Sequence, residues 1–165
     1  MSAELWMDDL VIAQVAWLNS QSDLTGLCGL IEVGLMLPRQ TQDINVAECP
    51  YLGVKTVGYT EHLAGVPGSA VGHSVHDVTT RIDIQIRDGQ QSSAEKTARK
   101  ILSQLAITVG IQRRGHPFGV STSHCRTLDL TPGSGLISMI DDLGDEWIVE
   151  AEYVWKTRVR LRISV

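Results

Sequence analysis

The end of the chain alternates between apolar and polar residues over a longer stretch than any other segment. Apolar or small residues occupy every second position from Trp147 to Ile163, with mostly charged residues between them. This pattern predicts a long β-strand over Trp147–Val165 with one buried face and one solvent-exposed face. The 17 residues of the alternating run Trp147–Ile163 would span about 56 Å as a straight strand, against roughly 30 Å across a compact domain. We therefore expect the strand to bend or to project from its subunit, where an exposed edge would need a partner.

The composition is that of an ordinary globular protein. Of 165 residues, 43% are hydrophobic and 20% are charged, which predicts one domain over residues 1–165 with a substantial core. No apolar run approaches the roughly 20 residues of a membrane-spanning helix. The start, Met1–Glu4, has no basic residue before an apolar stretch, so no secretory signal is expected. These features predict a soluble protein made in a cytoplasm, without a membrane partner.

The charge is unevenly distributed along the chain. The net charge of −5 argues against broad nucleic-acid binding. The first 80 residues hold two basic and nine acidic side chains, whereas the remainder holds twelve basic and ten acidic ones. One face of the last strand carries a basic row of Lys156, Arg158, Arg160 and Arg162. This row either lies on a solvent-exposed outer face or makes a charged contact with another subunit or partner. Nucleic acid is a secondary option for that partner.

The rest of the sequence predicts an α+β fold, in which a mixed or antiparallel sheet packs against two helices. We expect helices over Glu4–Asn19 and Ser92–Thr108, and strands over Ile31–Leu37, Tyr51–Tyr59, Val78–Arg87 and Cys125–Leu130. Two long loops are predicted, one over residues 60–77 as a hairpin arm or loop and one over residues 110–123.

Local signals refine these boundaries. Ser92 and Glu95 have the spacing of a capping box at the start of the second helix. The run Thr131–Gly135 contains Pro and Gly and predicts a turn. The segment Leu136–Leu143 is compatible with either a helical turn or a strand.

No cofactor site or catalytic motif is apparent. The cysteines Cys28, Cys49 and Cys125 form no C-x-x-C pair, so we expect buried free thiols. A metal-binding set of His62, His73, His76 and Asp77 is conceivable, and a second set of His116, His124 and Cys125 is weaker. Solvated loops are the simpler interpretation of both sets. We therefore expect neither a bound metal nor an enzyme activity.

The order of elements resembles that of the tail terminator, or tail completion, proteins of long-tailed bacteriophages. The matching segments cover about half of the chain and are Glu4–Asn19, Tyr51–Tyr59, Val78–Arg87, Ser92–Thr108 and Trp147–Val165. The resemblance is one of layout. It implies a structural virion protein, assembled in the host cytoplasm, that forms a homohexameric ring. Such a ring caps the tail tube and joins it to the head-neck connector, which makes the tail tube protein and the connector protein its partners.

A ring that closes on itself requires two different contact patches on each subunit. The acidic first half, with Asp8 and Asp9, and the basic second half are suited to supply them. In the second half we expect contacts from Arg113, Arg114 and the basic row, which could also touch DNA passing through the lumen. Two alternatives remain open from the sequence. One is another neck or tail-tube structural protein, and the other is a small metal-dependent hydrolase built on the first histidine set.

Overall fold

The computed structural model describes residues 6–36, 44–61, 73–113, 115–122 and 124–162. The predicted α+β class is confirmed. The elements in chain order are helix α1 (Trp6–Asn19), helix α2 (Ser22–Thr25), strand β1 (Leu30–Val33), strand β2 (Tyr51–Glu61), strand β3 (His73–Asp88), helix α3 (Gln91–Ile111), strand β4 (Cys125–Asp142) and strand β5 (Trp147–Arg162). Short 3-10 turns lie at Val46–Glu48 and Pro117–Gly119.

The strands form one mixed sheet in the order β1-β2-β3-β5-β4. Strand β1 is parallel to β2, and the other neighbours are antiparallel. Strand β5 pairs with β3 along its whole length, from Trp147 opposite Asp88 to Arg162 opposite His73. Since β4 covers its other side, β5 lies inside the sheet. The long edge that was expected at the final strand therefore belongs to β4.

Both long helices lie on one face of the sheet. Helix α1 packs against β1 and β2, and α3 packs against β3, β4 and β5. Gln14 of α1 is fully buried, and its Nε2 donates to Thr80 Oγ1 of β3 at 3.1 Å. The buried apolar residues that join α3 to the sheet include Ala94, Ala98, Ile101, Leu105 and Val109 from α3, and Ile82, Ile84, Val149 and Trp155 from the strands. The helix face of the sheet thus holds the core.

The expected loop over residues 60–77 is shorter than predicted. Thr60 and Glu61 continue β2, and His73–Asp77 begin β3. These residues have the composition of a loop, but His73–Asp77 all pair with β5, and His76 and Asp77 also pair with β2. Residues 62–72, including His62, lie outside the described residues.

The predicted turn at Thr131–Gly135 is wrong, because these residues lie within the 18-residue strand β4. The register between β4 and β5 shifts between Thr131 and Ser134, so the strand accommodates this segment as an irregularity. Gly133 lies against Tyr153 of β5 so closely that an added Cβ would come within 2.6 Å of the ring. Close packing therefore explains this glycine. The segment Leu136–Leu143, for which the sequence allowed a helical turn or a strand, is a strand as far as Asp142.

Helix α3 begins near the expected position but lacks the predicted capping box. Its N-cap residue is Gln90, with no side-chain cap hydrogen bond. Asp88 accepts hydrogen bonds from the Gln90 N–H at 2.9 Å and from Ser93 Oγ at 2.7 Å. The hydrogen bond from Ser93, followed by that from Gln90, holds the pKa of Asp88 below its ordinary value. The second loop is also shorter than expected, because α3 continues to Ile111 and Pro117–Gly119 form a helical turn.

Candidate functional site on the open face and edges of the sheet

The face of the sheet opposite the helices carries most of its charged residues. Outward positions on β3 and β5 include Asp77, Arg81 and Asp83 on one strand and Glu152 and Arg158 on the other. Because facing residues on neighbouring strands lie on the same side of a sheet, these side chains meet directly. This open face is the surface that the basic row of β5 helps to form.

A buried ion pair anchors one part of the open face. Lys55 Nζ lies 2.6 Å from Asp83 Oδ2, and the Lys55 side chain is only 4% exposed. The same ammonium donates to the backbone carbonyls of Leu35 at 3.3 Å and Met36 at 3.1 Å. The chain after β1 therefore lies over this lysine. Arg81 Nε also donates to Asp83 Oδ1 at 3.0 Å, which makes Asp83 the shared anion of two cations.

Arg158 of the basic row is engaged within its own chain. Its Nε donates to Asp77 Oδ1 at 3.2 Å, and its Nη1 donates to Asp129 Oδ2 at 3.3 Å. The two carboxylates come from the strands on either side of β5. Arg158 thus ties three strands together, which limits its availability for a contact with another molecule.

The other members of the basic row are exposed. Lys156, Arg160 and Arg162 have no ion pair among the described residues. Arg160 and Arg162 line an open cleft of about 400 Å³ at the end of the sheet where β4 begins and β5 ends. The described residues that line it are His73, Ser121, Thr122, His124, Cys125, Arg126, Arg160 and Arg162.

None of the remaining predicted contact residues that the structure describes lines this cleft, although Asp9 lies close enough to the lining residue Cys125 to raise its pKa. Asp8 in the first turn of α1 is exposed, whereas Asp9 is half-buried. Arg113, just after α3, is exposed. Arg114 lies outside the described residues. No contact between these residues and the basic row is found in the part of the chain that the structure describes.

The histidines do not assemble a metal site among the described residues. His73 and His76 point to opposite faces of β3, because they are an odd number of positions apart on one strand. His76 lies beside Tyr59, with ring centroids 5.1 Å apart, and Ser74 Oγ is 2.8 Å from its Nε2. In the second set, His116 Nδ1 lies 2.7 Å from the Thr127 carbonyl, on the core side of β4.

All three cysteines are free thiols, but only Cys125 is fully buried. Burial raises the pKa of Cys28 to about 12. Burial, with a smaller contribution from the Asp9 carboxylate, raises the pKa of Cys125 to about 11. Both groups are therefore neutral thiols near pH 7, which makes them poor nucleophiles.

Two groups of exposed apolar side chains lie at opposite edges of the sheet. At the β1 edge, Val33, Leu35 and Met36 are 46%, 68% and 63% exposed. At the β4 edge and the turn that follows it, the exposed residues are Leu136, Met139, Ile140 and Leu143, at 40–58%. We call these the β1 patch and the β4 patch.

The register places the two patches next to each other along the strand direction. Val33 of the β1 patch shares a row with Val54, Ile82, Tyr153 and Gly135, and Gly135 directly precedes Leu136 of the β4 patch. Five strands at about 4.8 Å spacing separate the two edges by roughly 19 Å. Sequence reasoning missed both patches, since it did not identify which strand lies at the edge. The sequence did contain one signal for the β4 patch. The apolar residues of Leu136–Leu143 do not alternate with polar ones, so they cannot all lie on one buried face of a strand.

Comparisons with known proteins identify no family. No protein-family model matches this sequence, and no curated protein matches it significantly. Among the described residues, none of the helices combines the length and apolar character that crossing a membrane requires.

Proposed function

We propose that the chain is the subunit of a homohexameric ring that caps the tail tube of a long-tailed bacteriophage and joins it to the head-neck connector. In this proposal it is a structural virion protein without catalytic activity, assembled in the host cytoplasm. The tail tube protein and the connector protein contact opposite faces of the ring. The observation that carries the proposal is the pair of unlike apolar patches at opposite edges of one sheet.

The chemistry of the patches favours a contact between copies of this chain. Exposed apolar side chains of this size are costly on an isolated subunit when they lie next to an unpaired strand edge. A patch that meets a different patch on the next copy makes a heterologous contact, which closes into a ring when the rotation between subunits divides a full turn. For six subunits this rotation is about 60°. The β1 patch and the β4 patch meet this requirement because they differ in sequence and lie on opposite sides of the subunit.

Charged residues add a second element to the proposed contact. Asp8 and Arg113 are exposed on the helix side of the molecule, where they are available to a neighbouring subunit. Lys156 is exposed on the open face. Exposed ion pairs contribute only about 0–1 kcal/mol each. We therefore assign the stability of the ring to the apolar patches and its salt sensitivity to these charges.

Native mass measurement tests the proposed ring. Light scattering after size exclusion at two salt concentrations should give six times the 18.1 kDa chain mass, or a mixture of monomer and ring. Leu136→Lys in the β4 patch should shift the mass toward the monomer, because it places a charge in an apolar contact. Ile12→Lys on α1 is the matched control, since both side chains are 58% exposed. A monomer at every concentration, or equal effects of the two variants, would contradict the proposal.

Electron microscopy separates the proposed role from its nearest alternative. A terminator should appear as a single ring at one end of a tube, whereas a tube protein should stack into many rings. Metal analysis of the purified protein addresses the hydrolase alternative, because stoichiometric zinc or manganese would favour an enzyme.

A further inference from the structure

The open cleft at the end of the sheet has the composition of an anion-binding site. It lies where β3 and β4 begin and β5 ends, and three of its eight lining residues are arginines. Two more, His73 and His124, are imidazoles. Among the described residues, no carboxylate lines the cleft. The cleft is therefore rich in hydrogen-bond donors and poor in negative charge.

The strand register forces the basic side chains together. Arg126 of β4 lies directly opposite Arg160 of β5, and His73 of β3 lies directly opposite Arg162. Like charges that face each other across neighbouring strands are destabilising. Arg158, two residues before Arg160, avoids this cost because it faces Asp77 and Asp129. The described residues supply no such carboxylate to the three arginines of the cleft.

The described residues on either side of position 123, next to the cleft, are held by hydrogen bonds. Thr122 Oγ1 accepts hydrogen bonds from the backbone N–H groups of Cys125 at 2.9 Å and His124 at 3.3 Å. The backbone N–H of Arg162 donates to the His124 carbonyl at 2.9 Å, which ties His124 to the end of β5. The Nδ1 atom of His124 is buried and has no hydrogen-bond partner in the described part of the chain. The hydrogen bonds to Thr122 and from Arg162 therefore anchor His124 beside the cleft.

We propose that this cleft binds a phosphate group, carried by a nucleic-acid backbone or present as the free ion. Guanidinium groups bind phosphate through pairs of parallel hydrogen bonds, and arginine therefore predominates over lysine at such sites. A volume of about 400 Å³ leaves room for the group that carries the phosphate as well. The net charge of −5 opposes long-range attraction of nucleic acid, so the interaction is local and sensitive to salt. The site is built from one chain and does not depend on the proposed ring.

Binding to a fluorescein-labelled oligothymidylate of fifteen nucleotides tests the proposal, with fluorescence anisotropy as the measurement. The purified full-length protein should bind at low salt, with an affinity that falls as salt rises. The double variant Arg126→Gln with Arg160→Gln should bind at least tenfold more weakly. Lys156→Gln is the matched control, because Lys156 is an exposed cation on the same face of β5 but outside the cleft. Its affinity should change by less than twofold.

A second measurement distinguishes the two sources of phosphate. Inorganic phosphate at millimolar concentration should raise the melting temperature of the wild-type protein and leave that of the double variant unchanged, if the free ion is the ligand. If the backbone of a nucleic acid is the ligand, the oligonucleotide should produce this shift and inorganic phosphate should not.

The variants also separate binding from folding. The double variant should melt at or above the wild-type temperature without ligand, since it removes a repulsive cross-strand pair. Failure of both ligands to bind at low salt would overturn the proposal. So would an equal loss of affinity in Lys156→Gln and the double variant, because that result would indicate attraction to the basic row as a whole. If the protein is monomeric but binds phosphate as described, the result supports the phosphate-binding cleft and contradicts only the proposed ring.

Discussion

Asp77 and Arg158 lie directly opposite each other on β3 and β5, and Arg158 Nε donates to Asp77 Oδ1 at 3.2 Å. Asp129 on β4 accepts a second hydrogen bond from the same guanidinium at 3.3 Å. Arg158 therefore differs from its neighbours in the basic row, Arg160 and Arg162, although all three project from the same face of one strand. The carboxylates on the adjacent strands determine this difference.

Replacement of Arg158 should destabilise the fold more than replacement of its neighbours. Arg158→Glu would place a carboxylate between Asp77 and Asp129, and we expect it to lower the free energy of unfolding by about 1–3 kcal/mol. Arg162→Glu, at an exposed position, should change it by less than about 0.5 kcal/mol. Urea unfolding followed by circular dichroism measures both changes. Equal effects of the two variants would show that the pairs around Arg158 contribute nothing to stability.

The buried pair of Lys55 and Asp83 predicts an asymmetric response to substitution. Asp83→Ala leaves both Lys55 and Arg81 without their shared anion, and we expect a loss of about 3–5 kcal/mol. Lys55→Met keeps the apolar stem and leaves Asp83 paired with Arg81, so the loss should be smaller. The same unfolding measurement compares them. A larger loss for Lys55→Met would contradict this account of the site.

The close contact of Gly133 with Tyr153 makes a further stability prediction. An alanine Cβ at Gly133 would lie 2.6 Å from Tyr153 Cζ and from the Val154 carbonyl oxygen, so one strand must shift. We expect Gly133→Ala to cost roughly 1–3 kcal/mol, as overpacked core substitutions do. Gly110→Ala is the control, because a Cβ added there, on the exposed side of α3, would meet no atom of a neighbouring element within 4 Å. That variant should be as stable as the wild-type protein or slightly more stable.

Several elements were predictable from sequence because their signals are local. The alternation of Ile82, Ile84 and Ile86 identifies β3, and the spacing of Ala94, Ala98 and Ile101 identifies α3. These patterns report which side of an element is buried, and the structure agrees with them. The boundaries were less predictable. His73–Asp77 have the composition of a loop, yet all five pair with β5, and His76 and Asp77 also pair with β2.

The sites were less predictable than the elements because they depend on strand order. The sequence places Arg126 and Arg160 far apart, and only the antiparallel pairing of β4 with β5 makes them face each other. The same holds for the apolar patches, since Leu136 is exposed because β4, and not β5, lies at the edge. Periodicity within one segment contains no information about which segment will be its neighbour.

Burial raises the pKa of all three cysteines, and the two with the most buried thiols, Cys28 and Cys125, predict how stability depends on pH. Below pH 9.0, the ordinary pKa of a cysteine, Cys28 and Cys125 are protonated in both the folded and the unfolded chain. Above it the unfolded chain releases these protons, whereas the folded protein retains them until about pH 12 at Cys28 and about pH 11 at Cys125. The free energy of unfolding should therefore fall as the pH rises above 9, by at most about 1.4 kcal/mol per pH unit for each thiol.

Urea unfolding at pH 8 and pH 10.5 measures this fall, with alanine variants assigning it to individual thiols. The packing lost in Cys125→Ala should cost a similar amount at both pH values. Removal of the thiol should also make the fall between them smaller, so the variant is closer to the wild-type stability at pH 10.5 than at pH 8. Cys28, Cys49 and Tyr153, whose pKa values burial also raises, contribute to the wild-type fall and persist in the variant. The difference between the two proteins therefore isolates the buried thiol. An identical fall in both would mean that Cys125 ionises in the folded protein as readily as in the unfolded chain.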